Sequence, residues 1–123
     1  MNFDSDKPIY RQIVEFCHAR ILAREWLPGE RIPSVRELAV TLQVNTHTVL
    51  KALETLQNEE IIAPRRGMGY FLAPDAPEKT ADARRSEFFD NTVPALRRQM
   101  ELLGISPQQL MERLTASGGN TAQ

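Results

Sequence analysis

The chain has 123 residues, of which 41% are hydrophobic and 25% charged, and its formal net charge is −1. This composition excludes collagen-like, low-complexity and wholly disordered chains, and the length corresponds to about one domain. The near-neutral charge also argues against a nucleic-acid binder, because such proteins usually carry a basic excess. A single cysteine, Cys17, excludes a disulfide framework and a multi-cysteine zinc site.

The sequence indicates a cytoplasmic protein. It contains no apolar run of the ~20 residues that span a bilayer. Residues 1–7 include two aspartates and no apolar core, so they do not form a signal peptide. No set of side chains offers a nucleophile, a base and an orienting group, so we expect no catalytic residue, cofactor or metal, and no membrane partner.

The first predicted element is a helix over about residues 8–25. Pro8 suits a first helical position. Apolar residues then recur at helical spacing and define one buried stripe. The stripe consists of Tyr10, Ile13, Val14, Cys17 and Ile21.

Two shorter helices follow. Ser34 and Glu37 form a capping box, which opens a helix with Val35, Leu38, Ala39 and Leu42 inward. Asn45 is a good N-cap for a third helix over about residues 46–58. The core face of the third helix consists of Val49, Ala52, Leu53 and Leu56.

A β-hairpin is predicted next. Two short strand-like runs, residues 61–63 and 70–72, flank a tip that contains two glycines and no acid. Such a tip can approach a partner closely. Together with the two preceding helices, the hairpin predicts a winged helix-turn-helix.

The outward face of the third helix is suited to DNA. His47, Lys51 and Glu54 lie opposite the core stripe, and the face is led by the polar run of residues 45–48. A helix of this kind enters the major groove with its first turns towards the base edges. The alternative remains open that the helix-turn-helix serves a domain that does not bind DNA.

The composition divides the chain into four segments. Residues 1–73 are predicted to form the winged helix-turn-helix domain, and residues 74–80, with two prolines, a linker. Residues 81–116 are predicted to form a two-helix extension for dimerisation, and residues 117–123 a disordered tail. The fold class is therefore mostly α with a small β-hairpin.

The extension has the pattern of helices that pack on other helices. Pro94 is expected to kink or split its first helix, Gly104 to end it, and Ser106 to cap the second. Two such helices cannot bury both apolar faces alone, so we expect a homodimer; the alternative is that they fold back on their own winged helix. The predicted dimer interface consists of Phe89, Val93, Leu96, Met100, Leu103, Leu110 and Leu114.

Residues 8–72 resemble the winged helix of GntR-family bacterial transcription regulators. The resemblance rests on the runs PIYRQI (8–13), LPGERIPSVRELA (27–39), VNTHTVLKAL (44–53) and RGMGYF (66–71). After them, RRSEF (84–88) and LLGIS (102–106) resemble the short helical extension of the YtrA-like subfamily. The chain departs from the family at Thr46 and Leu50, where many members have arginine, and at Glu60, where glycine is usual.

The resemblance implies a dimer that binds double-stranded DNA at a palindromic operator. We expect a homodimeric repressor, with an unidentified small-molecule effector as a further partner. The alternative is a winged-helix protein-interaction module that docks a partner through its C-terminal helices. The expected DNA-binding residues, from the resemblance and the outward face, are Ser34, Arg36, Asn45, Thr46, His47, Thr48, Lys51, Arg65, Arg66 and Gly67.

The charge of this face answers the objection from the net charge. Residues 34–52 and 61–72 carry four cations against the single anion of Glu37, which is +3 per subunit. A local charge of this size, doubled by dimerisation, predicts weak nonspecific binding and a measurable salt dependence.

Overall fold

The computed structural model describes the backbone of residues 7–121 and the side chains of residues 7–116. The described part divides into two compact units, one up to Arg84 and one from Arg85. In chain order the elements are α1 (Ile9–Leu22), α2 (Val35–Leu42), α3 (Thr46–Asn58), β1 (Ile62–Arg65), β2 (Gly69–Leu72), α4 (Ala76–Glu87), a π-helical segment (Phe88–Thr92), α5 (Val93–Leu103) and α6 (Pro107–Thr121).

The first unit has one hydrophobic core, built from the apolar stripes that the sequence predicts. The predicted stripe of α1 is buried except at Tyr10, which is half-buried and packs against the core. The core faces of α2 and α3 are buried too, apart from a half-buried Val35. Full burial of a leucine or isoleucine contributes about 1.5–3 kcal/mol, so these stripes hold the three helices together.

The predicted caps of α2 and α3 are confirmed. Ser34 Oγ accepts a hydrogen bond from the Glu37 amide at 3.1 Å, and the Ser34 amide donates to Glu37 Oε1 at 2.8 Å. Asn45 Oδ1 accepts from the His47 amide at 2.7 Å. Helix α1 ends at Leu22, earlier than predicted, because Arg24 has a φ of 62° and a left-handed residue cannot continue a right-handed helix.

The predicted hairpin is confirmed, with Ile62 opposite Leu72 and Arg65 opposite Gly69. The segment that precedes α2 pairs with β2, the second strand of the hairpin. The Ile32 amide donates to the Tyr70 carbonyl and the Leu72 amide to the Glu30 carbonyl, both at 3.0 Å. The sequence predicts this segment as extended but does not indicate its pairing, which anchors the base of the wing.

The linker predicted at residues 74–80 is wrong from residue 76 onward. Helix α4 begins at Ala76, and Ala76, Pro77 and Thr80 are buried. The two prolines misled the prediction, because proline also suits the first turn of a helix, where its missing N–H is not needed. The start of α4 is therefore part of the first unit.

A π-helical segment interrupts the predicted helix just before Val93, where a kink or a split at Pro94 was expected. The chain is π-helical over residues 88–92, and α5 starts at Val93 with Pro94 in its first turn. A proline cannot donate to the carbonyl four residues earlier, and the wider turn just before it accommodates that loss.

The end of α5 at Gly104 and the start of α6 at Ser106 follow the prediction. Gly104 has a φ of 69°, and Ser106 forms a capping box with Gln109 through hydrogen bonds of 2.8 and 3.1 Å. Helix α6 continues to Thr121, so the tail predicted as disordered over residues 117–123 begins within a helix. Its last two residues, and the side chains from Ser117, lie outside the described residues. No described helix is both long and apolar enough to cross a membrane.

Candidate nucleic-acid interface

The first turns of α3 present polar and cationic side chains. Asn45, Thr46, His47 and Lys51 are exposed, and Thr48 is half-buried. Since the opposite face of α3 is locked into the core, these side chains cannot rotate inward. The helix dipole adds partial positive charge at the same end, where Asn45 Oδ1 accepts from the His47 amide.

The start of α2 presents a second set of groups. Arg36 is exposed in the first turn of the helix. The Ser34 hydroxyl oxygen accepts from the Glu37 amide at the same end of the helix. Hydrogen bonds from Ser34 lower the pKa of the Glu37 carboxyl, which keeps this side chain anionic and tied to the cap.

The wing carries two adjacent arginines at its tip. Arg65 ends β1, Arg66 and Gly67 form the turn, and both arginines are exposed. Gly67 has a φ of 74°, in the left-handed region that favours glycine. The Arg65 guanidinium carbon lies 3.9 Å from the centroid of the Phe71 ring, so one of the two cations rests on the hairpin itself.

Two further residues, Tyr10 and Arg31, lie at this surface although neither was predicted to contact DNA. The Tyr10 ring lies under the Lys51 ammonium, with 4.2 Å from Nζ to the ring centroid. Arg31 pairs with Phe71 through the backbone, and its Nε lies 3.5 Å from the position a Cβ of Gly69 would take. The spacing of Tyr10 indicates only a core position, while the cation of Arg31, just before the capping box, could have suggested a role.

The side chains that could bind a metal or act as a nucleophile have structural roles in the described part of the chain. No group of three or more potential metal-ligating side chains occurs within the described residues. Burial raises the pKa of the Cys17 thiol to about 12, so it stays protonated. His18 is buried, and its Nε2 lies 3.3 Å from Glu59 Oε1, a contact that joins α1 to the end of α3.

The second unit has an apolar groove between α5 and α6. Of the predicted dimer residues, Val93, Leu96, Met100, Leu110 and Leu114 line it. Phe89 and Leu103 do not line the groove but remain exposed, at 62% and 72%. The predicted set is thus apolar surface available to a partner, although it forms one groove and two separate exposed side chains.

Residues 9–72 match the family model described as "Bacterial regulatory proteins, gntR family". The HTH-type transcriptional regulator YhcF of Bacillus subtilis is 33% identical over 110 residues, which cover 89% of each chain. The HTH-type transcriptional repressor YtrA of the same organism is 40% identical over 72 residues, covering 58% of this chain and 55% of the relative.

Solved structures agree with these relatives. A GntR family transcriptional regulator from Listeria monocytogenes superposes with a TM-score of 0.75 at 33% identity, covering 93% of this chain and 98% of the other. The DNA-binding domain of AraR in complex with operator ORR3 has a TM-score of 0.54 at 29% identity, covering 59% of this chain and 88% of the other.

Proposed function

The chain belongs to the gntR family of bacterial regulatory proteins and is a DNA-binding transcription regulator, not an enzyme, and we propose that it is a homodimeric repressor of a palindromic operator. The observation that carries this proposal is the exposed, polar and cationic first half of α3, on a helix whose opposite face is buried in the core. YtrA of Bacillus subtilis, a relative, is named a repressor. The site of action we propose is the bacterial cytoplasm.

The proposed DNA contacts are of two kinds: some position the protein on the DNA backbone, and others read the base sequence. Arg36, Lys51, Arg65 and Arg66 hold phosphates or groove edges, because their charges neutralise the DNA backbone. Thr46, His47 and Thr48 stand at the start of α3, where side chains reach base edges in the major groove. Ser34, Asn45 and Gly67 complete the proposed surface through a hydroxyl, a capping amide and a close backbone approach.

The AraR complex supports this arrangement for the first unit. That domain, in complex with an operator, shares the fold of this chain over 59% of its length. The two chains are 29% identical over the aligned part.

Exposed apolar surface in the second unit supports the homodimer. Leu96 is 39% exposed and Leu114 59%, on opposite sides of the groove between α5 and α6. Burying such side chains against a second copy gains about 25 cal/mol for each Å² of apolar surface removed from water. A dimer would present two α3 helices to major grooves about 34 Å apart, one turn of the DNA helix.

Operator binding is tested by fluorescence anisotropy with DNA fragments from upstream of the gene that encodes this chain. We expect a specific fragment to bind, and Arg36→Ala to weaken binding at least about tenfold without unfolding the protein, because a phosphate or base-edge contact is lost. Arg98→Ala is the matched control, since Arg98 is an exposed arginine of α5 outside the proposed surface. A folded Arg36→Ala protein with undiminished affinity would contradict the proposed role of Arg36.

The homodimer is tested by analytical ultracentrifugation of the full chain. We expect a dimer for the unsubstituted protein and a monomer for Leu96→Glu, because a carboxylate in an apolar interface loses its hydration without gaining a partner. Leu102→Glu is the control: Leu102 lies on the same helix, is 86% exposed and is absent from the groove. A monomeric unsubstituted protein that still binds the operator would refute the dimer.

A further inference from the structure

We propose that Tyr10 is a positioning residue of the DNA interface: its ring holds the Lys51 ammonium ready for a backbone phosphate of the operator. The inference rests on the proposed function, since it assigns Tyr10 a role only in a protein that binds DNA. Tyr10, which the sequence predicts as a core residue of the first helix, then also serves the proposed DNA-binding surface.

The two side chains come from different elements and differ in mobility. Tyr10 is the second residue of α1, half-buried and packed against the core, so its ring is fixed by its neighbours. Lys51 stands on the exposed face of α3, and its Nζ lies 4.2 Å from the ring centroid. The core therefore orients the ring, and the ring orients the cation.

The surroundings of the pair leave the ring as the anchor of the cation. Tyr10 and Lys51 line one shallow groove together with Ile9, His47 and Thr48. Among the residues that the structure describes, none that lines this groove carries a carboxylate. The same groove borders the first turn of α3, where the major-groove contacts are proposed.

A cation held on a ring face keeps its hydrogen bonds for another partner. The attraction comes from the ring quadrupole and consumes none of the three ammonium N–H donors outright. An unrestrained lysine has a long flexible stem and loses rotamer freedom when it binds a phosphate. Because the Tyr10 ring restricts that freedom beforehand, less is lost on binding, and the complex is tighter.

The test asks whether operator affinity depends on an aromatic ring at residue 10. Dissociation constants for the upstream operator fragment are measured for the full chain, for Tyr10→Phe and for Tyr10→Leu. We expect Tyr10→Phe to retain the affinity, since it keeps the ring, and Tyr10→Leu to weaken it about two- to fivefold, the range of an exposed cation–aromatic contact. Circular dichroism establishes that each variant is folded.

A double-mutant cycle separates positioning from packing. Lys51→Ala removes the cation, so Tyr10→Leu should then have no further effect on operator affinity. A purely structural role of Tyr10 would instead weaken binding equally with and without Lys51. That additive result would overturn the inference, while leaving the proposed function intact.

If Tyr10→Leu does not fold, two side chains of nearly equal shape at position 10 provide the same test. Pentafluorophenylalanine at position 10 has nearly the shape of phenylalanine but an inverted ring quadrupole, so it should bind the operator more weakly than Tyr10→Phe. Equal affinity of these two proteins, or an affinity loss in Tyr10→Phe as large as in Tyr10→Leu, would refute the role of the ring. Absence of operator binding by the unsubstituted chain would refute the proposed function itself.

Discussion

The Lys79 ammonium lies 3.3 Å from both the backbone carbonyl oxygen and Oε1 of Glu60. Glu60 has a φ of 62° and stands in the turn between α3 and β1, where the family resemblance leads one to expect glycine. Hydrogen bonding to Glu60 raises the pKa of Lys79, so this contact is made by a charged ammonium. The pair links the first turns of α4 to the turn that leads into the wing.

We expect Glu60→Gly to be more stable than Glu60→Ala by about 1 kcal/mol, because alanine keeps the strain of the left-handed backbone and glycine does not. Both variants lose the Oε1 contact with Lys79 and keep the backbone carbonyl, so this change cancels in the comparison. Urea unfolding of the two proteins measures the difference.

The control for this comparison is Glu54, an exposed residue inside α3. There the order should reverse, with glycine about 1 kcal/mol less stable than alanine, because a helix interior disfavours glycine. An alanine variant as stable as the glycine variant at position 60 would show that the turn is not strained.

The capping box of α2 should make stability depend on pH in acid. Hydrogen bonds from Ser34 lower the pKa of Glu37 from its usual value near 4.5. A carboxyl whose pKa is lower in the folded than in the unfolded state stabilises the fold at every pH above its unfolded-state pKa. That contribution is lost as the pH falls through its folded-state pKa. We therefore expect the urea concentration at the midpoint of unfolding to decrease as the pH is lowered below 4.5. The decrease should be steeper for the natural chain than for Glu37→Gln.

Other carboxylates also titrate in this range, so the measured quantity is the difference between the two proteins. Parallel profiles for the natural chain and Glu37→Gln would contradict the assignment. At neutral pH, Ser34→Ala should cost about 1 kcal/mol through loss of the same cap.

Cys17 should be chemically inert in the folded protein. Its thiol is buried and its pKa is raised to about 12, so almost no thiolate is present near neutral pH. We expect iodoacetamide at pH 8 to label the folded protein very slowly and the urea-unfolded protein quickly, as followed by mass spectrometry. Rapid labelling under native conditions would show that α1 opens readily.

The start of α4 should stabilise the winged helix. Ala76 belongs to the hydrophobic core, and Pro77 and Thr80 are buried as well. We expect a chain of residues 1–84 to be more stable to urea than a chain of residues 1–73 by at least about 1 kcal/mol, because the shorter one loses that apolar burial. Both chains lack α5 and α6, so the comparison isolates α4, and equal stability would place the domain boundary where the sequence predicted it.

Local patterns carried the correct predictions. The stripe of α1, the capping box at Ser34 and the N-cap at Asn45 each depend on residues within four positions or on a simple helical period. The same locality explains the error at residues 74–80. Proline and small polar residues mark a linker and a helix start alike, and only burial against the rest of the first unit distinguishes the two.

The sequence by itself determined the winged helix, the exposed polar face of its third helix and a local charge of +3 within a chain of net charge −1. Only the tertiary structure decided which side chains share that surface. Tyr10 meets Lys51, and Lys79 meets Glu60, across separations of 41 and 19 residues. Such pairs depend on how helices pack, and packing is set by the whole core, so no spacing within one element reveals them.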